Sequence, residues 1–141
     1  MREILFRAKS NYGNVGEWEY GLVAQPHVTE KGVVTSYYFT KICENGWTSQ
    51  RTVSANTIGQ YTGLTDKNGK KIFEGDIIAG AVWWQEQAKN GLVAFKDGSF
   101  GLIWYRGEVE QFNAFTSMCN IEYEVIGNIH DNPELLKGGA E

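Results

Sequence analysis

Apolar and polar residues alternate along much of this chain with the two-residue period of a β-strand, and no long amphipathic helical period appears. Residues 3–9 set Ile4, Phe6 and Ala8 against Leu5, Arg7 and Lys9. Residues 17–23 set Trp18, Tyr20 and Leu22 against Glu17, Glu19, Gly21 and Val23, the pattern of a strand with one wet face. The Asn- and Gly-rich residues 11–16 turn the chain between these runs, which predicts an antiparallel pair. After a loop around residues 26–32, residues 33–42 form a β-branched and aromatic run with almost no helix-favouring side chains. Glu44-Asn45-Gly46 is a turn, residues 47–53 read as a further strand, and residues 54–57 as one helical turn capped by Ser54.

The second half is punctuated more sharply. Asp66-Lys67-Asn68-Gly69 supplies an Asx-type start and a glycine suited to positive φ, so residues 61–65 fold back towards 70–73. Glu74-Gly75-Asp76 is a second turn, followed by the apolar strand 77–84 and a loop at 85–90. Residues 91–96 and 99–105 flank Asp97-Gly98, a strong hairpin signal. A two-residue loop there sets Lys96 opposite Ser99, Phe95 opposite Phe100 and Val93 opposite Leu102. Val93, Phe95, Phe100, Leu102 and Trp104 then share a core face, with Leu92 and Ile103 on the other. Residues 123–129 give a closing strand of a small barrel. Asp131-Asn132-Pro133-Glu134 carries a cap, a proline at the first helical position and an acidic first turn, so a short helix runs through Leu136.

Composition sharpens this mainly β reading. The chain has 141 residues, 42% hydrophobic, with Gly 17 and Pro 2, enough for one substantial core or two small ones joined by many tight turns. A net charge of −4 disfavours nonspecific binding to phosphate backbones. No apolar run reaches bilayer-spanning length and Met1-Arg2-Glu3 does not begin a signal peptide, so the expected location is cytoplasmic, away from membranes. Cys43 and Cys119 belong to no CxxC or Cys/His cluster and are expected to be reduced packing residues.

Candidate chemistry is sparse. Glu74 and Asp76 flank Gly75 and offer two carboxylates for a metal-dependent hydrolase or nuclease, but turn geometry accounts for them more simply, with Asp76 accepting backbone N–H groups. Lys67, Lys70 and Lys71 form a basic loop that would suit a phosphate, or an ordinary solvated hairpin. His27 and His130 lie near no nucleophile or zinc motif, and neither GxGxxG nor GxxxxGK[ST] occurs, so no catalytic residue and no cofactor is expected. The aromatics stand out. In the adjacent pairs Tyr37-Tyr38 and Trp83-Trp84 a strand must aim the rings at opposite faces, so one ring of each pair needs a cover other than the same core layer. The cover expected is the chain's other half or a second copy, ahead of a partner protein or stacked bases. The candidate interaction surface is therefore Trp83, Trp84, Tyr37, Tyr38, Lys67, Lys70 and Lys71.

Two long segments carry a resemblance. Gln60-Tyr61-Thr62-Gly63-Leu64-Thr65-Asp66-Lys67-Asn68-Gly69-Lys70-Lys71-Ile72-Phe73-Glu74-Gly75-Asp76-Ile77-Ile78 and Tyr123-Glu124-Val125-Ile126-Gly127-Asn128-Ile129-His130-Asp131-Asn132-Pro133-Glu134-Leu135-Leu136 resemble the YopX family of phage and prophage proteins. The opening Met1-Arg2-Glu3-Ile4 with Phe6-Arg7-Ala8, then Trp18 with Tyr20-Gly21, fits the same pattern. The resemblance implies a phage-encoded protein with an SH3-like barrel in its C-terminal part, and it brings no catalytic or binding residues. The expected division is a β-rich region at 1–58, the barrel at 59–136 and a frayed tail at 137–141. The function expected is that of a non-enzymatic accessory protein that binds an unidentified host or phage protein, or itself, with nucleic acid the weaker alternative. Residues 25–56 and 85–91 are the least family-like.

Overall fold

The computed structural model describes residues 3–115 and 123–137, so Cys119 and, of the tail expected at 137–141, all but Lys137 lie outside the described residues; Lys137 ends the terminal helix. The chain divides into two compact units, Met1–Tyr61 and Thr62–Glu141. Among the described residues it is mainly β, with strands β1 (Phe6–Lys9), β2 (Trp18–Val28), β3 (Val34–Ile42), β4 (Thr48–Ser54), β5 (Gly59–Thr65), β6 (Lys71–Phe73), β7 (Asp76–Trp84), β8 (Gln87–Lys96), β9 (Ser99–Arg106), β10 (Val109–Ala114) and β11 (Val125–Asn128). One short helix, α1 (Glu134–Lys137), follows them. No helix among the described residues is long and apolar enough to cross a membrane.

In the first unit the hydrogen-bonded order is β4-β3-β2-β1-β5, all antiparallel. The predicted pairing of the first two strands holds, with Lys9 opposite Trp18 and Arg7 opposite Tyr20. The inner face of β2 is the reverse of the one its alternation suggested. Val23 packs with Phe6, Tyr37 and Ile58 around the buried Ala8, Phe39 and Val53, whereas Tyr20 and Leu22 are 44% and 41% exposed. Two local facts explain the reversal. Gly21 lies so near β3 that a Cβ would sit 2.5 Å from the Thr40 carbonyl oxygen, so the inner face has room for glycine there and for no larger residue. On the outer face the Trp18 ring is covered by cations, with Arg7 Cζ 4.3 Å and Lys9 Nζ 4.7 Å from its centroid.

Strand β2 also runs through Pro26 into the expected loop. Proline is tolerated because β1 pairs only with residues 18–21, and at Pro26 the strand pairs with β3 alone, leaving its other edge without need of an N–H. The 3-10 turn Ala55–Thr57 forms where one helical turn was predicted, but the Ser54 side chain makes no cap hydrogen bond. Instead the Thr57 hydroxyl donates to the Ser54 carbonyl at 2.8 Å.

In the second unit the five-stranded order is β10-β9-β8-β7-β11. The Asp97-Gly98 hairpin has the predicted register, with Lys96 opposite Ser99 and Val93 opposite Leu102. Val93, Leu102 and Trp104 are buried as expected. Phe95 is not, at 55% exposed. It lies at the hairpin tip, beyond the core of Ile72, Ile78, Val93, Leu102 and Tyr123, and there its ring meets Phe100 edge-to-face at 5.0 Å.

The loop expected at 85–90 is mostly strand. Trp84 pairs with Gln87, and Gln85 and Glu86 alone make the turn, both with positive φ (50° and 61°), the backbone form that suits a two-residue hairpin despite the lack of glycine. The closing strand pairs with β7 through β11, but β10 and β11 are the two edges of the order, so the described strands do not close into a barrel.

Candidate functional site

The most distinctive surface of the first unit lies at one end of its sheet, where the β1–β2 and β3–β4 turns both emerge. Glycines at positive φ make both turns, Gly13 and Gly16 in one and Gly46 in the other. The Ser10 N–H donates to Glu17 and the Gly16 N–H to Ser10, at 2.8 and 2.9 Å, which holds the first turn. In the second, the Cys43 N–H donates to Trp47 at 2.7 Å, and the Trp47 N–H to Asn45 Oδ1 at 3.0 Å. These bonds satisfy the backbone locally and leave the large side chains outside. Tyr12 is 83%, Val15 71% and Trp47 74% exposed.

A cleft of about 370 Å³ opens at this end, lined by Tyr12, Gly13, Asn14, Glu19, Gln50, Arg51 and Thr52. Its origin is a ladder that stops early. Ser10 bridges Val53, and the Asn11 N–H donates to the Thr52 carbonyl at 3.2 Å, so β4 curls back beside the end of β1. Continued, that antiparallel register would set Gly13 opposite Gln50 and Val15 opposite Thr48. The turn bends the chain away instead, and the gap is the cleft.

Two charges sit at inward-facing positions there. Glu19 is opposite Ala8 and Arg51 opposite Phe39, and both Ala8 and Phe39 belong to the core. Arg51 Nη1 donates to the Gln50 carbonyl at 3.2 Å. Among the described residues no ion pair joins the Arg51 guanidinium to Glu19. The arrangement offers a guanidinium fork, a carboxylate, two amide side chains and an aromatic rim, which is chemistry for binding.

The residues singled out from sequence are dispersed. Tyr37 packs against the first unit's core. Tyr38 faces the other way, 3.3 Å from His27 Nδ1 through its hydroxyl, with the rings edge-to-face at 6.0 Å. Trp83 and Trp84 pair with Ala88 and Gln87 along β7 and β8; their side chains lie outside the described set. Lys67, Lys70 and Lys71 are all exposed around the β5–β6 turn, and Lys67 is ion-paired with Glu124 at 3.3 Å. Asp76 is turned inward and accepts the Phe73 N–H at 2.8 Å. Gly75 between the two acids has φ +91° and donates to the Val93 carbonyl, a geometry governed by the turn. Among the described residues no group of three or more His, Cys, Asp or Glu is placed to hold a metal ion.

Sequence reasoning did not single out Tyr12, Glu19, Gln50 or Arg51. A signal was present: alternation puts Arg51 on the same face as the core residue Val53 and Glu19 on that of Val23. A charge one or two same-face steps from an inward apolar position on two strands marks the mouth of a curled sheet.

Asp66 and Tyr123, both in the second unit, titrate away from their ordinary values. Burial acts to raise the Asp66 carboxyl, but N–H groups donated by Val125, Lys70 and Asn68, with the Lys70 charge, outweigh it and hold the group below 3.8. Burial pushes the Tyr123 hydroxyl up to about 12.

Comparison with known proteins places this geometry in context. Residues 5–137 match the family model described as YopX protein. Among solved structures the chain is similar to protein EF1440 from Enterococcus faecalis, known from a crystal structure. The two are 26% identical with a TM-score of 0.51, over 96% of this chain and 99% of that one. No curated protein matches the chain.

Proposed function

We propose, from the premise that this chain belongs to the YopX family, that it is a non-enzymatic phage or prophage accessory protein. It acts in the bacterial cytoplasm by holding another protein at the turn end of its first unit. The observation that carries this reading is the juxtaposition of exposed Tyr12, Val15 and Trp47 with a cleft that contains Arg51. Tyr, Trp and Arg are the side chains that dominate protein-binding hot spots, because each combines a large contact area with a directional polar group.

Base stacking is less well supported. Trp18 already carries Arg7 and Lys9, Lys67 is paired with Glu124, and the net charge is −4. On the same reading the second unit is an open form of the SH3-like barrel. Gly80 at φ +53° and the irregular pairing of β7 between Ile78 and Val82 bend its sheet in the manner of a barrel corner.

A photo-crosslinking residue placed at Tyr12 or Trp47 is expected to give adducts with protein from host lysate in higher yield than one at Lys31. Lys31 is also exposed, but it sits on the β2–β3 turn at the opposite end of the sheet. Equal yields at the three positions, or none, would count against the proposal.

A further inference from the structure

We infer that the cleft is a slot for strand addition, and that its occupant is an extended segment of a partner protein with an acidic side chain. This rests on the protein-binding reading above and specifies how the partner is held.

The argument comes from hydrogen-bond parity on β4. In an antiparallel pair, successive residues direct their N–H and C=O groups alternately towards and away from the partner strand. The Thr52 carbonyl accepts from Asn11, on the side away from β3. Thr48 and Gln50 share that parity, so their backbone groups also point away from β3. Cys43 fixes the same phase independently, because its N–H donates to Trp47, which makes the odd-numbered residues of β4 the ones bonded to β3. Beyond Asn11 the turn at residues 12–16 leaves the ladder. Among the described residues no backbone group meets the Gln50 N–H or the outward groups of Thr48.

This open edge runs roughly 14 Å from Thr48 to Thr52 at ordinary strand rise. Natural edges are usually blunted by proline, by charged side chains, by inward-pointing charges or by a bulge, and of these devices residues 48–52 carry only the inward-facing charge of Arg51. Residues 48–52, Thr-Ser-Gln-Arg-Thr, contain neither proline nor lysine, and the β3–β4 register is regular along their length. The edge is therefore a template for one more strand, provided that strand neutralises Arg51, the geometry by which sheets capture extended peptides. Side-chain chemistry selects the occupant. A residue inserted beside Arg51 on the inward face meets a guanidinium that donates to the Gln50 carbonyl and, among the described residues, makes no ion pair with Glu19 of the same cleft, and a carboxylate completes its fork. Tyr12 and Asn14 form the opposite wall.

The test is selection of random linear peptides on the intact protein by phage display, followed by amide NMR and affinity measurement with the selected peptides. Binders rich in β-branched residues with an Asp or Glu are expected, and binding should slow hydrogen exchange at the Thr48 and Gln50 amides. Gln50→Pro removes the outward N–H without touching a bond to β3, and is expected to weaken binding roughly tenfold, about one hydrogen bond. Gln50→Ala keeps the outward N–H and loses only the cleft-lining amide, so it should weaken binding clearly less than Gln50→Pro, since the backbone does the pairing. Arg51→Gln should weaken acidic peptides by roughly tenfold, as loss of a charged hydrogen-bond pair does. Failure to select any binder, equal losses for the proline and alanine variants, or unchanged exchange at Thr48 and Gln50 would each overturn the inference. So would protection of those amides that grows with protein concentration in the absence of peptide, which would make a second copy the occupant. Crosslinks at Trp47 with unprotected Thr48 and Gln50 would sink strand addition and leave the broader binding role standing.

Discussion

Asp66 ties two distant stretches of the second unit together through one carboxylate. Its Oδ1 accepts the N–H groups of Asn68 and Lys70, both at 2.9 Å, and its Oδ2 that of Val125 at 3.1 Å. One side chain thus closes the β5–β6 turn and ties it to β11, which is why the acid that signals an Asx turn in the sequence is buried in the fold. Asp66→Ala leaves three N–H groups without this acceptor and is expected to cost about 3 kcal/mol, measured by urea denaturation. The pH dependence follows from the lowered folded-state pKa. Protonation is harder in the folded chain than in the unfolded one, so the contribution is complete above 3.8 and fades as pH falls below it. Asp66→Asn should remove that part of the acid sensitivity, seen as a shallower fall of the urea midpoint between neutral and acid pH. The local half of this role was legible from Asp66-Lys67-Asn68-Gly69. The bond to Val125 was not, because nothing in a turn motif encodes a partner 59 residues away.

At the scale of elements, hairpins with a strong local signal were legible to the residue, as the Asp97-Gly98 register shows. Where the local signal was weak, reading failed. Gln85 and Glu86 turn the chain without glycine, and β10 has only a faint alternation over Val-Glu-Gln-Phe-Asn-Ala. What holds β10 is closeness rather than periodicity. A Cβ at Gly101 would lie 2.4 Å from the Asn113 oxygen, 2.6 Å from Phe112 Cζ and 2.8 Å from Ala114 Cα. Two of those three neighbours are backbone atoms, which cannot rotate aside. Gly101→Ala is therefore expected to force β10 off β9, costing about 2–3 kcal/mol as overpacking does. In hydrogen exchange this appears as lost protection at residues 109–114, with β7 and β8 still protected. Unchanged protection at 109–114 would refute the argument.

At the scale of the whole molecule, the cleft was illegible for a reason distinct from weak signals. It exists because a ladder ends, and the point at which Ser10 meets Val53 depends on the curl of four strands, a property no single stretch of sequence carries. The wet and dry faces of β2 were misjudged for the same reason, since the room left at Gly21 is set by β3. The two cores, by contrast, are each built from residues of one unit, Ala8, Phe39 and Val53 in the first and Ile72, Ile78, Val93, Leu102 and Tyr123 in the second. Neither cluster borrows a buried residue from the other unit, so a cavity cut in one should leave the other's packing intact. Leu102→Ala removes a fully buried side chain and is expected to cost about 2–5 kcal/mol. That loss should appear as faster amide exchange across β7, β8 and β9, with β1 to β4 unchanged. Phe39→Leu should give the converse pattern. If either variant accelerates exchange equally across both sets of strands, the chain unfolds as one cooperative body, and the separation of cores has no thermodynamic counterpart.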